Sequence, residues 1–248
     1  MLEQLRSRWR DQPCDGIRVQ WPEVGRDRIR KVITRSGVRR RYAIPCYRYG
    51  AREAQCEAAE EAAACILLDA CPGIEFQEQP LTLTFSWLGK IHQHVPDLLV
   101  ASPGRYEFWE CKRDTEARNF WIRKRAERLQ TLLAPTGVGY RVVTGREVFA
   151  GHYLENARLL RRFAAHRVPS SVESEAELQV RQTGTVTIQR IQRALCTGTG
   201  IADILALVYR GDLSADLNVR LTEQSLVFLP DKNRRLPWVW QLFAAVSA

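Results

Sequence analysis

Long apolar runs are missing from this chain of 248 residues. The longest unbroken one, Ala62 to Leu68, is far shorter than the roughly 20 residues that cross a bilayer, so no membrane-spanning helix is expected. The opening Met1-Leu2-Glu3-Gln4-Leu5-Arg6 lacks the apolar stretch of a secretory signal. The seven cysteines contain no Cys-x-x-Cys pair, and the four histidines show no zinc-type spacing to them. A disulfide framework and a zinc site are therefore not expected, and reduced thiols in a cytoplasm are. Disorder is equally poorly supported, because 45% of the residues are apolar, enough for a buried core. The length suits one medium domain and a small one.

Charge of one sign is plentiful. Residues 1–55 hold fourteen Lys or Arg against six Asp or Glu, so they carry +8 of the chain's net +9. Within them, two β-rich stretches between Arg28 and Tyr42 flank Ser36-Gly37, the pattern of a hairpin. Arg28, Arg30, Lys31, Arg39, Arg40 and Arg41 would there track a phosphate backbone, and DNA is the expected polyanion. A solvated basic tail is the plainer alternative.

Two apolar runs carry the chemistry. His94-Val95-Pro96-Asp97-Leu98-Leu99-Val100 sets an aspartate at the head of a strand, and Phe108-Trp109-Glu110-Cys111-Lys112 places Glu-x-Lys near the end of the next. Strand side chains alternate, so Glu110 and Lys112 project one way and Trp109 and Cys111 the other. Charges in such apolar strands need a partner or a metal. Two carboxylates and a lysine at one point suit Mg²⁺ (Mn²⁺ can substitute), which makes bound water a usable nucleophile. The lysine can orient that water or offset charge on a phosphate. This is the residue pattern of the PD-(D/E)xK nucleases. A Glu-x-Lys on a solvated strand face is the ordinary alternative, and neither His92 nor His94 needs a role.

Around this pair the expected order is helix, three strands, helix, strand, helix. Ala-rich helical character runs from Glu53 to Leu68 and stops at Pro72-Gly73. Strands are expected at Leu81 to Trp87, after a Leu88-Gly89-Lys90 turn in a strand ending at Val100, and at Tyr106 to Lys112. A basic helix then carries Ala117, Trp121, Ile122, Ala126, Leu129 and Leu133 at helical spacing, with Arg118, Lys124, Arg125 and Arg128 on other faces. A strand at Tyr140–Thr144 comes next, pairing in parallel with the Lys112 strand through this crossover, and Glu147 to Arg162 reads as a helix. The result is an α/β sandwich with the acidic cluster at one end of a mixed sheet. The basic helix could grip DNA or present a merely solvated face.

Pro169-Ser170-Ser171 reads as a linker. Beyond it, helices near Glu175–Gln182, Ile188–Leu195 and Ile201–Tyr209 and a β-rich run from Leu217 to Leu229 suggest a winged-helix-like unit. Residues 170–248 hold eight basic and eight acidic residues, so a protein partner suits them at least as well as DNA. The aromatic tail Pro237-Trp238-Val239-Trp240 packs on its own chain or docks a partner. Three segments are thus expected: a basic arm at 1–50, a nuclease core at 51–166 and a helical C-terminal unit at 167–248.

Several blocks in this order resemble TnsA, the endonuclease subunit of heteromeric transposases. They are the basic hairpin before Gly50-Ala51-Arg52, a helical glutamate before Leu67-Leu68-Asp69, Glu78-Gln79-Pro80, Pro96-Asp97, Glu110-Cys111-Lys112, and Tyr140-Arg141-Val142-Val143-Thr144-Gly145-Arg146-Glu147-Val148. The similarity runs from about Ile29 to Phe163 and more faintly beyond. It implies a restriction-endonuclease-like core with Asp97 as metal ligand, Lys112 as catalytic lysine and Glu61 as the helix glutamate, Glu57 and Glu60 being alternatives. Glu110 fits a further ligand. It also implies cleavage of the non-transferred strand at transposon ends, an Asp-Asp-Glu transposase that cuts the other strand, and a regulatory ATPase engaging the C-terminal region. Two other functions compete: a stand-alone restriction- or repair-type nuclease, and a non-catalytic DNA-binding scaffold.

Overall fold

The structure, a computed structural model, describes residues 2–11, 16–23, 28–29, 41–48, 50, 52–194, 200–230 and 237–245. Most of the expected basic hairpin, including Arg30, Lys31, Arg39 and Arg40, lies outside these residues. The fold is mixed α/β.

Its centre is a four-stranded sheet of β4 (Glu75–Glu78), β7 (Leu98–Ser102), β8 (Arg105–Lys112) and β9 (Val138–Thr144), adjacent in that order. β4, β7 and β8 run antiparallel, and β9 lies parallel to β8. The parallel pairing follows from the crossover through α3 (Asp114–Ala117) and α4 (Phe120–Leu133), as the sequence pattern requires.

Alternation assigns the two faces. Leu98, Val100, Trp109, Cys111 and Val143 enter one core with α2 (Ala59–Ala70), α5 (Gly145–Val148) and α6 (Tyr153–Arg161). Leu99, Phe108, Val138 and Tyr140 enter the other, with Ala126, Leu129 and Leu133 of α4 and Leu5 and Trp9 of α1 (Leu2–Asp11). A second sheet, β1 (Ile17–Gln20), β5 (Thr82–Trp87) and β6 (Lys90–His94), adds Leu83 and Phe85 to that second core. α2 is buried almost all round, which its alanines allow, because they let strands approach the helix closely.

The structure departs from the sequence pattern in several places. Glu53 to Cys56 is not helical: β3 (Arg52–Cys56) pairs with β2 (Tyr42–Cys46), burying Ala54 and Cys56 on one face. β4 is a strand the sequence does not advertise, since Gln77 and Glu78 are polar yet buried. The strand expected between the Leu88-Gly89-Lys90 turn and Val100 is two strands in different sheets, β6 and β7, broken at Val95-Pro96, where proline lacks an N–H for the ladder. The expected helix over Glu147 to Arg162 is divided into α5 and α6 around Gly151, whose φ is +51°.

A third core joins α7 (Ser170–Thr183), α8 (Ile188–Ala194), α9 (Ile201–Arg210) and the small sheet β10 (Thr185–Thr187), β12 (Leu226–Phe228) and β11 (Ser214–Ala215). Of the β-rich run from Leu217, only Leu226–Phe228 is strand. α10 (Trp238–Ala245) returns to the first core. There Trp240 donates from Nε1 to Ser102 Oγ at 3.1 Å and meets Trp109 edge-on, with ring centroids 5.6 Å apart. The aromatic tail thus packs on its own chain.

Candidate functional site

The site sits where β7 begins and β8 ends. Their antiparallel register pairs Leu98 with Trp109, so Asp97, one residue ahead of β7, falls level with the last residues of β8. Its Oδ2 accepts the Cys111 backbone N–H at 2.7 Å, which fixes the carboxylate against the sheet end. Lys112 Nζ lies 3.6 Å from Asp97 Oδ2 and 3.3 Å from Glu110 Oε1. The strand alternation expected from sequence thus brings Glu110 and Lys112 to one side, and the β7–β8 pairing delivers Asp97 to the same ammonium.

Glu110 is only 1% exposed and is held from several directions. Arg125, reaching from α4, donates to Oε1, and the Tyr140 hydroxyl on β9 donates to Oε2 at 2.6 Å. Tyr140 Oη also lies 2.8 Å from His94 Nε2. Because that hydroxyl's one proton goes to Glu110, His94 must donate through Nε2, giving a relay His94 to Tyr140 to Glu110.

The electrostatics follow from burial. Desolvation pushes Glu110 up, but His94, Lys112, Arg125 and the Tyr140 hydrogen bond together hold it below the usual carboxylate range. Burial lowers His94 to about 4. It is therefore neutral at pH 7, where Lys112, Arg125 and Tyr140 keep Glu110 ionised. Asp97 moves the other way, to about 6, because burial and then the Glu110 charge outweigh Lys112 and the Cys111 N–H. Lys112 is desolvated too, yet Asp97 and Glu110 raise it and keep it charged.

Glu61 joins from the first turn of α2. Burial, and then the charge of Asp97, lift its carboxyl to about 8, against the opposing pull of the Glu57 N–H and Lys112. The Glu57 N–H donates to Glu61 Oε2 at 2.9 Å and anchors it. The two alternatives are placed differently. Glu57 is exposed and precedes α2, while the Glu60 carboxylate faces Gly145 of α5.

The donor set suits a hard cation. All three carboxyls are oxygen donors, and two are pushed above their ordinary range, Glu61 by burial and the Asp97 charge and Asp97 by burial and the Glu110 charge, a strain that a bound cation relieves. Among the described residues, no three His, Cys, Asp or Glu side chains are already gathered tightly enough to share an ion. Asp97 and Glu110 are instead bridged by Lys112.

The basic residues divide. Arg125 reaches from α4 into the site, donating to Glu110. Arg28 turns inward, pairing with buried Glu78 at 3.0 Å and donating to the Glu53 carbonyl at 3.1 Å. Arg52 holds the other Glu78 oxygen at 2.5 Å, so the two arginines balance a carboxylate inside the fold. Arg41 is half-buried, whereas Arg118, just after α3, and Lys124, on α4, are exposed.

Sequence reasoning gave Tyr140 no place in the site and set His94 aside, whereas the fold seats both beside Glu110. Tyr140 carried a faint signal: a tyrosine on an otherwise apolar strand needs a partner for its hydroxyl. No family model matches this chain, and no curated protein matches it in sequence.

Proposed function

We propose that this chain is a metal-dependent DNA endonuclease, with Asp97, Glu110 and Glu61 holding Mg²⁺ and Lys112 acting beside them. The observation that carries the reading is the Lys112 ammonium, 3.6 Å from Asp97 and 3.3 Å from Glu110 at the end of one sheet. Such a set has no structural necessity, since a buried ion pair is a weak source of stability. Magnesium, when bound, would supply a water of lowered pKa and neutralise charge on the scissile phosphate. Asp97 and Glu110 would hold it, Glu61 would complete the carboxylate set, and Lys112 would donate to the attacking water or to a phosphate oxygen. Arg125 and the His94–Tyr140 relay would keep Glu110 ionised and oriented.

The motif order favours the TnsA-type role. In that role the chain cleaves the non-transferred strand at transposon ends beside an Asp-Asp-Glu transposase. The restriction-endonuclease-like core would do the cutting. The winged-helix-like C-terminal unit, with its neutral charge balance, would meet the regulatory ATPase. Among the described residues no helix is long and apolar enough to cross a membrane.

Calorimetric titration of Mn²⁺ into the wild type and Asp97→Ala tests the site. Saturable binding lost in the variant is expected, together with Mg²⁺-dependent strand cleavage that Asp97→Ala and Lys112→Ala abolish when the transposase is present. Cleavage that survives in both variants would overturn the assignment. Binding of DNA without cleavage in the assembled complex would favour the scaffold.

A further inference from the structure

An aromatic track leaves the candidate site and runs to the surface. It starts at His94, whose ring lies 5.9 Å from Tyr140. His92, two residues back on the same face of β6, stacks with Phe85 at 6.0 Å and meets Trp87 at 5.3 Å. Trp87 meets Trp121 edge-on at 6.0 Å, and Trp121 meets Phe120 at 5.2 Å. The outer two rings are open, Phe120 being 54% and Trp121 58% exposed. On α4, Trp121 stands one turn before Arg125, the residue that donates to Glu110, so track and acidic cluster share a helix face.

Cations border the track. Arg118, Arg123 and Lys124 are exposed, and Lys124 Nζ lies 5.9 Å from the Phe120 ring centroid. Arg128 donates to the Ser86 carbonyl at 3.4 Å, beside Trp87. Both rings keep more than half of their surface in solvent side by side, and aromatic area of this kind marks a binding surface. Its partner is narrowed by charge. Positive side chains interleaved with open ring faces match a chain of phosphates carrying accessible bases. A duplex hides its base faces except at ends, nicks and extruded positions, so these rings require unpaired nucleotides.

We infer that Phe120, Trp121 and Trp87 form a stacking platform for unpaired nucleotides, and that the substrate reaches the cluster with a single-stranded segment adjoining the scissile phosphate. This rests on the nuclease reading and names the substrate class of the same site. Arg118, Arg123 and Lys124 follow the backbone while the rings take the bases. Because every base has a π-face, the platform is indifferent to sequence.

Fluorescence anisotropy in EDTA, with labelled oligodeoxythymidylate and a blunt duplex of equal length, tests the inference without any cleavage. Wild type is expected to prefer the single strand. Trp121→Ala should weaken oligodeoxythymidylate binding about tenfold, the loss expected for one stacked base, and change duplex binding far less. Trp121→Phe should restore most of the affinity. Phe120→Ala, which leaves the Trp87–Trp121 contact in place, guards against a folding defect and should also weaken the single strand selectively. Arg118→Ala with Arg123→Ala should instead lower both affinities and flatten their salt dependence. Equal affinity for both nucleic acids, no binding of either, or unchanged oligodeoxythymidylate binding in both aromatic variants would overturn the platform and leave the face to a protein partner. Saturable Mn²⁺ binding that needs Asp97 alongside such a result would retain the nuclease reading. Single-strand preference with no metal binding would do the reverse.

Discussion

Glu61→Gln should make the metal-free protein more stable at neutral pH, although it removes a residue of the proposed site. In the unfolded chain this carboxyl titrates near 4.5, whereas in the fold burial and then the Asp97 charge raise it to about 8. The native state therefore binds the extra proton, and stability falls as pH rises between those two values. Below the unfolded value both states are protonated and nothing is lost; above the folded value the full penalty applies. At pH 7 the gap of about 2.5 units from the unfolded value corresponds to about 3 kcal/mol. Glutamine keeps the shape and can still accept the Glu57 N–H, but its amide adds a buried donor, which costs about 1 kcal/mol. A gain of about 2 kcal/mol near pH 7, shrinking to none near pH 5 and reversing to a loss of about 1 kcal/mol below pH 4, is the expected result. Denaturant unfolding of both proteins in EDTA across this range measures it directly. Parallel stability–pH curves for the two proteins, or a variant weakened by more than about 1 kcal/mol at pH 8, would refute the placement of Glu61 beside Asp97. Saturating Mn²⁺ should reverse the order, since a metal at about 100 times its Kd adds about 2.7 kcal/mol to whichever protein binds it.

The geometry sets three further outcomes. Mn²⁺ affinity should rise through pH 6 to 8 as Asp97 and Glu61 lose their protons, and calorimetry in buffers of different ionisation enthalpy should show protons released on binding. Tyr140→Phe should weaken Mn²⁺ binding about tenfold by freeing the Glu110 carboxylate from its hydroxyl donor, and an unchanged titration would remove Tyr140 from the site. Asp69→Ala should cost about 3–5 kcal/mol in denaturant unfolding. It strips the partly buried Arg161 guanidinium of its carboxylate partner at 2.7 Å and leaves the Tyr47 and Arg48 N–H groups without the Asp69 oxygen they share; a loss below about 1 kcal/mol would show these contacts to be dispensable.

The sequence by itself determined the features that local periodicity controls. Alternation along Phe108 to Lys112 put Glu110 and Lys112 on one side, and of the apolar stripe from Ala117 to Leu133 the part at Ala126, Leu129 and Leu133 enters the core while Trp121 stays exposed. The change from strand to helix to strand after Lys112 required the parallel β8–β9 pair. It could not determine features whose partners lie far along the chain. Gln77 and Glu78 look like loop, and become a buried strand because Arg28 and Arg52 neutralise Glu78 from another segment. Helix propensity at Glu53 to Cys56 gave way to pairing with β2, since backbone hydrogen bonds and a buried alternate face outweigh a few tenths of a kcal/mol per residue. Tertiary structure alone turned Arg125 from a surface cation into a partner of Glu110, and seated Tyr140 and His94 behind it. A charge or hydroxyl acquires its role from what the fold sets within about 3 Å of it, and that distance is decided by packing, not by position in the chain.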